Sequence, residues 1–212
     1  MVVRPNETDP RVIRTRQLIQ DAFTSLTREK EFNDITIRDI TERATINRAT
    51  FYAHFDDKYA LLELLVSETF MTFVSQRLQS QEELTAETLR NLILAVCDYH
   101  ENLSKRCKRT TTSIAPLIEM KIKMQLEDIV CNWLAKSVQA AGDGRRLEWA
   151  AVMISHSIYG VACRWNAEGG KTSTDVFVDE ILPFLLAGLQ TVMEQDSSVG
   201  YHRPAAGKVG VG

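Results

Sequence analysis

Residues 36–55, TIRDITERATINRATFYAHF, constrain the fold more than any other stretch, because they hold two helix starts with a turn between them. Thr36 followed by Asp39 has the spacing of a capping box, and Ile37, Ile40 and Ala44 then fall at i, i+3 and i+7 on one face. A short helix is therefore predicted over 37–44. Asn47 is a good N-cap for a second helix starting near Arg48, with Ile46 and Phe51 placed as a hydrophobic staple. Phe51 and Phe55 then form an i, i+4 apolar seam that must face inward. Two short capped helices at this spacing read as a helix-turn-helix. The seam leaves Arg48, Ala49 and Tyr52 outside, with Thr50 at its flank, a small donor-rich surface suited to base edges and phosphates. The pattern alone also fits a solvated helix face, since such units occur in proteins that never touch DNA.

The surrounding residues carry a resemblance. Thr15-Arg16-x-x-Ile19-x-x-Ala22-Phe23, then Phe32, Thr36, Ile37, Ile40 and Ala44, and above all Thr50-Phe51-Tyr52-x-His54-Phe55-x-x-Lys58-x-x-Leu61-Leu62 resemble the head of the tetracycline-repressor (TetR) family over about residues 10–65. The resemblance implies an all-α fold, with a three-helix helix-turn-helix head and a larger helical body for effector binding and dimerisation. It implies a homodimeric transcription regulator, a repressor, that binds a near-palindromic double-stranded operator and answers to a small-molecule effector. On the matching positions, Arg38, Arg48, Thr50 and Tyr52 would read bases or their neighbourhood, and Thr36, His54 and Lys58 would meet phosphates. Thr45 and Ala49 stand where the family often has glycine. Threonine tolerates positive φ poorly, so the turn either avoids that region or carries strain.

Charge is less telling than the motif. The formal net charge is −3, and the hydrophobic content of 44% suits an ordinary globular core. The useful asymmetry is local: Arg4, Arg11, Arg14 and Arg16 crowd the N-terminal arm against Glu7 and Asp9, an arrangement that can lie on phosphates or enter a minor groove. Three regions are expected: a head with its basic arm over 1–57, a helical body over 58–195, and a disordered tail over 196–212 rich in Gly, Ser and Pro.

Helical periodicity continues through the body. Asp9 and Pro10 open a first helix, and further helices are predicted from Asp56/Asp57 to about Gln79, and over 85–106, 117–141, 145–168 and 174–195. Pro116 punctuates the third of these, Gly169-Gly170 stops the fourth, and Pro183 interrupts the last. The last two are apolar on more than one face, which requires burial on more than one side. A larger intrachain core and a two-fold interface both satisfy that requirement. The interface reading selects Ile154, Ile158, Val161, Ile181, Leu185, Gly188 and Leu189, and the family resemblance implies a four-helix dimer bundle there.

For an effector pocket the sequence offers Tyr99, His100, Met124, Trp133, Met153, His156 and Tyr159, large or polar groups on the helices expected to surround it. The alternative is a body that docks a partner protein rather than a metabolite. No histidine has a nucleophile or carboxylate dyad at catalytic spacing and no phosphate-binding loop is present, so an enzyme is not expected. Nor is a cofactor or metal expected, since Cys97 and His100 at i, i+3 supply only two ligands. The four cysteines lie far apart, without signal-like or membrane-spanning segments, as in reduced thiols of a cytoplasmic protein with no membrane partner.

Overall fold

A computed structural model describes residues 8–106, 111–137 and 144–194, and all regular structure among them is helical. The elements are α1 (Pro10–Glu29), a single 3-10 turn (Phe32–Asp34), α2 (Ile37–Ala44), α3 (Arg48–His54), α4 (Lys58–Leu78), α5 (Ala86–Arg106), α6 (Thr111–Ser137), α7 (Gly144–Ala167) and α8 (Thr174–Glu194). Residues 1–7 of the basic arm and the 196–212 tail lie outside the described residues, as does Cys107.

Local chemistry sets most helix starts. Asp9 accepts from the Arg11 amide at 2.8 Å ahead of Pro10, and Asp57 accepts from the amides of Tyr59 and Ala60, both at 2.8 Å, to start α4. One boundary differs from expectation. Pro116 lies inside α6, whose start is at Thr111. A proline in the second turn removes one backbone hydrogen bond, whereas Ile114, Ile118, Ile122, Leu126 and Val130 run through it at i, i+4 spacing and are all buried. Packing outweighs the local breaker. At the end of α7 the expected stop holds, with amides of Gly169 and Gly170 closing onto the carbonyls of Asn166 and Trp165. Gly170 has φ +58, and a Cβ there would stand 3.2 Å from the Trp165 ring.

The head packs around Ile19, Phe23, Phe32, Ile35, Ile40, Phe51 and Leu61, each fully buried or nearly so. Phe23 meets Phe32 edge-to-face at 6.1 Å. Helix α4 belongs to both parts: Leu61 and Leu62 enter the head core, while Phe70, Val74 and Leu78 turn toward α5, with Phe70 edge-on to Tyr99 at 5.6 Å. In the body α5 is the central helix, packed against α4, α7 and α8, and six consecutive residues from Leu92 to Cys97 are all buried. Sequence periodicity had pointed to α7 and α8 as the doubly covered helices.

That difference corrects the interface expectation. Ile154, Ile158 and Leu189, expected on a two-fold seam, are buried inside the protomer, where α7 faces α5 and α6 and where α8 faces α5 and α7. Val161, Ile181 and Leu185 are half-buried between helices, and Gly188 is exposed. Among the described residues, the large apolar groups left outside on these two helices are Trp149 and Met153 on α7 and Val176 and Phe184 on α8, Phe184 at 79% exposure.

Candidate nucleic-acid interface

The first of the two short helices starts on a complete capping box. Asp39 Oδ2 accepts from the Thr36 amide at 2.8 Å, and the Asp39 amide donates to Thr36 Oγ1 at 3.1 Å. Lys30 Nζ donates to Asp39 Oδ1 at 2.7 Å. The Lys30 ammonium, together with the Thr36 donors, holds the Asp39 carboxyl well below the usual carboxylate range. Helix α2 ends at Thr45, whose φ of 56 and ψ of 46 place it in the left-handed region. The strained alternative is therefore the one realised, because a β-branched residue occupies a conformation that favours glycine. The Ile46 amide donates to the Thr41 carbonyl at 3.0 Å and completes the turn.

Asn47 then starts α3, its Oδ1 accepting from the Thr50 amide at 2.7 Å and from Thr50 Oγ1 at 3.0 Å. Phe51 is fully buried and anchors the helix, with Phe55 at 5.8 Å between ring centroids. Tyr52 stands edge-on to Phe51 and remains 48% exposed, so its hydroxyl end is displayed on a rigid base. Arg48 and Ala49 are exposed beside it, and Thr50 is half-buried with its hydroxyl engaged in the cap. The result is a small protruding face made of Arg48, Ala49 and Tyr52.

The remaining expected contacts are distributed differently. Thr36 is exposed at the start of α2. Arg38 is also exposed and pairs with Glu42 at 2.7 Å, a surface pair that a stronger anion can displace. Arg43 is tied to Glu29 and Ser25 across to α1. His54 is half-buried and lines a crevice of about 290 Å³ with Arg16, Glu63, Ser67 and Lys121, between head and body. Burial, then the Arg16 charge, pushes its imidazole pKa down, so it is a poor cation for a phosphate. Lys58, expected at a phosphate, directs its ammonium inward. Nζ donates to the carbonyls of Phe32 at 2.8 Å, Asn33 at 3.1 Å and Ile35 at 2.8 Å, and lies 4.6 Å from the Phe32 ring centre. Sequence inspection missed this lock, because a lysine that seeks carbonyls and one that seeks phosphates look the same in one dimension. It also missed Gln20, which is buried and donates to Glu68 at 2.8 Å, joining α1 to α4. A glutamine inside the apolar stripe of α1 was the available signal.

Residues 19–65, which contain this whole unit, match the family model described as bacterial regulatory proteins, tetR family. The chain carries a TetR-family head. A Bacillus subtilis (strain 168) protein described as an uncharacterized HTH-type transcriptional regulator, YxbF, is 40% identical over 67 residues, which is 31% of this chain and 18% of that protein. The chain thus matches less than a fifth of this curated relative. Among solved structures, a TetR-family regulator from Streptomyces coelicolor A3 matches with TM-score 0.58 and 16% identity over 87% of this chain and 99% of its own. The dihydroxyacetone kinase operon activator DhaS matches with TM-score 0.55 and 19% identity over 86% and 99%. These likenesses show that the helical body as well as the TetR head has the fold of that group.

In the body of this TetR-like chain, the residues expected around an effector do not converge. Tyr99, His100 and Tyr159 form a buried aromatic cluster, with His100 edge-on to Tyr99 at 5.9 Å and to Tyr159 at 5.0 Å. Trp133 is buried as well. Met124 is 54% exposed and shares an open surface groove with Pro116, Lys123 and His156, while Met153 is 65% exposed. The seven divide because α6 and α7 pack with their isoleucines inward, which turns Met124, Met153 and His156 outward. Within the buried cluster, His100 Nε2 has no hydrogen-bond partner, and desolvation brings its pKa down to about 4. Cys97, one turn away, is pushed up to about 12 by burial, so it is an unreactive thiol. Among the described residues no group of three His, Cys, Asp or Glu gathers as a metal site, and no helix is long and apolar enough to cross a membrane.

Proposed function

We propose that this chain is a cytoplasmic transcription regulator that binds a near-palindromic operator as a homodimer, each protomer placing α3 in a major groove. The observation that carries this reading is the exposed face of Arg48, Ala49 and Tyr52, held rigid by the buried Phe51 and by two capped helix starts. A face this small and narrow can approach base edges, Arg48 as a donor to guanine and Tyr52 by its ring and hydroxyl. Thr36, exposed at the start of α2, and Arg38, released from Glu42, supply phosphate contacts. The working division is a head over 1–57 and a body over 58–195, with α4 shared between them.

Dimerisation rests on Trp149, Met153, Gly160, Phe184 and Gly188, which leave an apolar and small-residue surface on α7 and α8. An effector acts by changing the separation of the two heads, through α4 and through α6, which touches the 3-10 turn of the head. The sign of regulation is read as repression, on the resemblance of the head; DhaS, a protein of the same fold, is named as an activator. A second reading has the body dock a protein: Met120 and Met124 lie exposed along the open groove of about 440 Å³ with Glu119, Lys123 and His156. Mobility-shift titration of DNA from upstream of the chain's own coding region tests the main reading. One dimer per palindromic site at nanomolar protein is the expected result, and no sequence-dependent shift at low salt removes it.

A further inference from the structure

Lys58 is the first residue of α4, where the helix dipole disfavours a cation, so its position calls for a compensating partner. The partner is the loop ahead of α2. An ammonium has three N–H donors, and the structure assigns all three to backbone carbonyls, those of Phe32, Asn33 and Ile35. The Phe32 ring covers another side at 4.6 Å. Desolvation pulls the Lys58 pKa down, as expected for a half-buried charge. Meeting a phosphate would require breaking at least one of these bonds.

The place of the three carbonyls matters as much as their number. Ile35 immediately precedes Thr36, the N-cap of α2, and the Phe32 carbonyl also accepts from the Ile35 amide at 3.2 Å to close the 3-10 turn. Helix α6 of the body packs on the same turn. The entry to α2 is therefore held from two sides by the body: by α6 in contact, and by α4 through one side chain. We propose that Lys58 is a positioning residue of the DNA interface. It touches no phosphate; its three bonds to the carbonyls ahead of α2 fix the angle between α4 and the α2–α3 unit. This inference rests on the DNA-binding reading above.

The test compares Lys58→Met and Lys58→Arg with the wild-type chain. A guanidinium keeps the charge, but its planar fork does not reproduce a compact three-donor ammonium among three carbonyls. Positioning therefore predicts that both variants lose operator affinity by about tenfold or more, while the slope of log affinity against log salt stays at the wild-type value. A phosphate contact predicts the opposite: arginine rescues, and Lys58→Met lowers the slope by about one per head. Either of those results overturns the proposal. A third arm uses the free protein and needs no DNA. The Lys58 Nζ proton signal should be protected from solvent exchange at neutral pH, and the amide resonances of Ile35, Thr36 and Asp39 should shift in Lys58→Met, with helical content retained. Fast exchange at Nζ and unmoved amides reject the clamp even if the chain binds no operator, whereas a protected Nζ in a chain that shifts no DNA rejects the DNA-binding reading and, with it, the positioning role.

Discussion

Thr45 and His100 each hold a conformation or state that costs the fold something. Thr45 at φ 56 lies where a β-branched side chain crowds its own backbone, a penalty of roughly 1–2 kcal/mol relative to the right-handed region. Thr45→Gly relieves it at the price of a more flexible unfolded chain, so a net gain of about 0.5–1 kcal/mol in urea unfolding is expected. A loss instead would show that the Thr45 side chain supports the turn. His100 is the second case. Its Nε2 is buried without a partner, and burial brings its pKa from 6.5 to about 4. The unfolded chain therefore binds a proton at this site at pH values where the folded chain does not, and stability falls as the pH drops from 6.5 toward 4, then levels off. The contribution is at most about 1.4 kcal/mol per pH unit in that window. In His100→Phe this part of the pH dependence should vanish, as read by thermal unfolding at several pH values; an unchanged profile would mean the imidazole is hydrated.

At the scale of elements, α3 is a helix of seven residues that cannot stand alone. It is held by the Asn47 cap, by Phe51 in the core and by the turn behind Thr45. Asn47→Ala should cost about 1 kcal/mol of stability and weaken operator binding indirectly. Arg48→Ala should leave unfolding unchanged, Tyr52→Ala should cost about 0.5–1.5 kcal/mol for its edge-on contact with Phe51, and each should weaken specific binding by about 1–3 kcal/mol. Stability and affinity measured side by side separate Asn47→Ala from Arg48→Ala, and unchanged affinity in both face variants would remove α3 as the reading helix. Another element-level feature links α5 to α8: Arg90 binds Asp175 at 2.7 Å and also Asp179, so one guanidinium spans two acids a turn apart on α8. It orients the outer helix on the central one before any second chain is present.

For the whole molecule, the unsettled surface is on α7 and α8. Phe184 at 79% exposure and Trp149 at 59% are large apolar groups to leave in water, and the exposed Gly188, one turn from Phe184, permits close approach. Phe184→Glu, exposed in the protomer, should therefore leave each protomer folded yet convert dimers to monomers in sedimentation at micromolar concentration. Because two heads on one rigid body share a single entropic cost, operator affinity should then fall much more than for any one phosphate contact. A folded wild-type monomer that binds a palindromic site tightly would end the dimer reading. The Leu185 and Ile158 positions are less informative, since both contribute to the protomer's own packing and a charge there unfolds it.

The helix-turn-helix head was legible in the sequence because its signals are local: Thr36 with Asp39, Asn47 with Thr50, and the Phe51/Phe55 seam each act within a few residues along the chain. The number of helices and most of their ends followed for the same reason. The orientation of each helix did not, since an apolar stripe states that a face is covered and leaves open what covers it. Ile158 could face α5 or a second chain; the packing of α5 at the centre of the body puts it inside. Lys58 could point to solvent or to carbonyls; the 3-10 turn, set beside it by Phe32 and Ile35 entering the head core, decides for carbonyls. The α6 isoleucines override Pro116, and the same choice of face turns Met124 and His156 outward. Local hydrogen bonds thus determine where most helices begin and end, while the three-dimensional competition for a limited apolar interior carries α6 through Pro116 and determines which side of each helix is buried and which meets water.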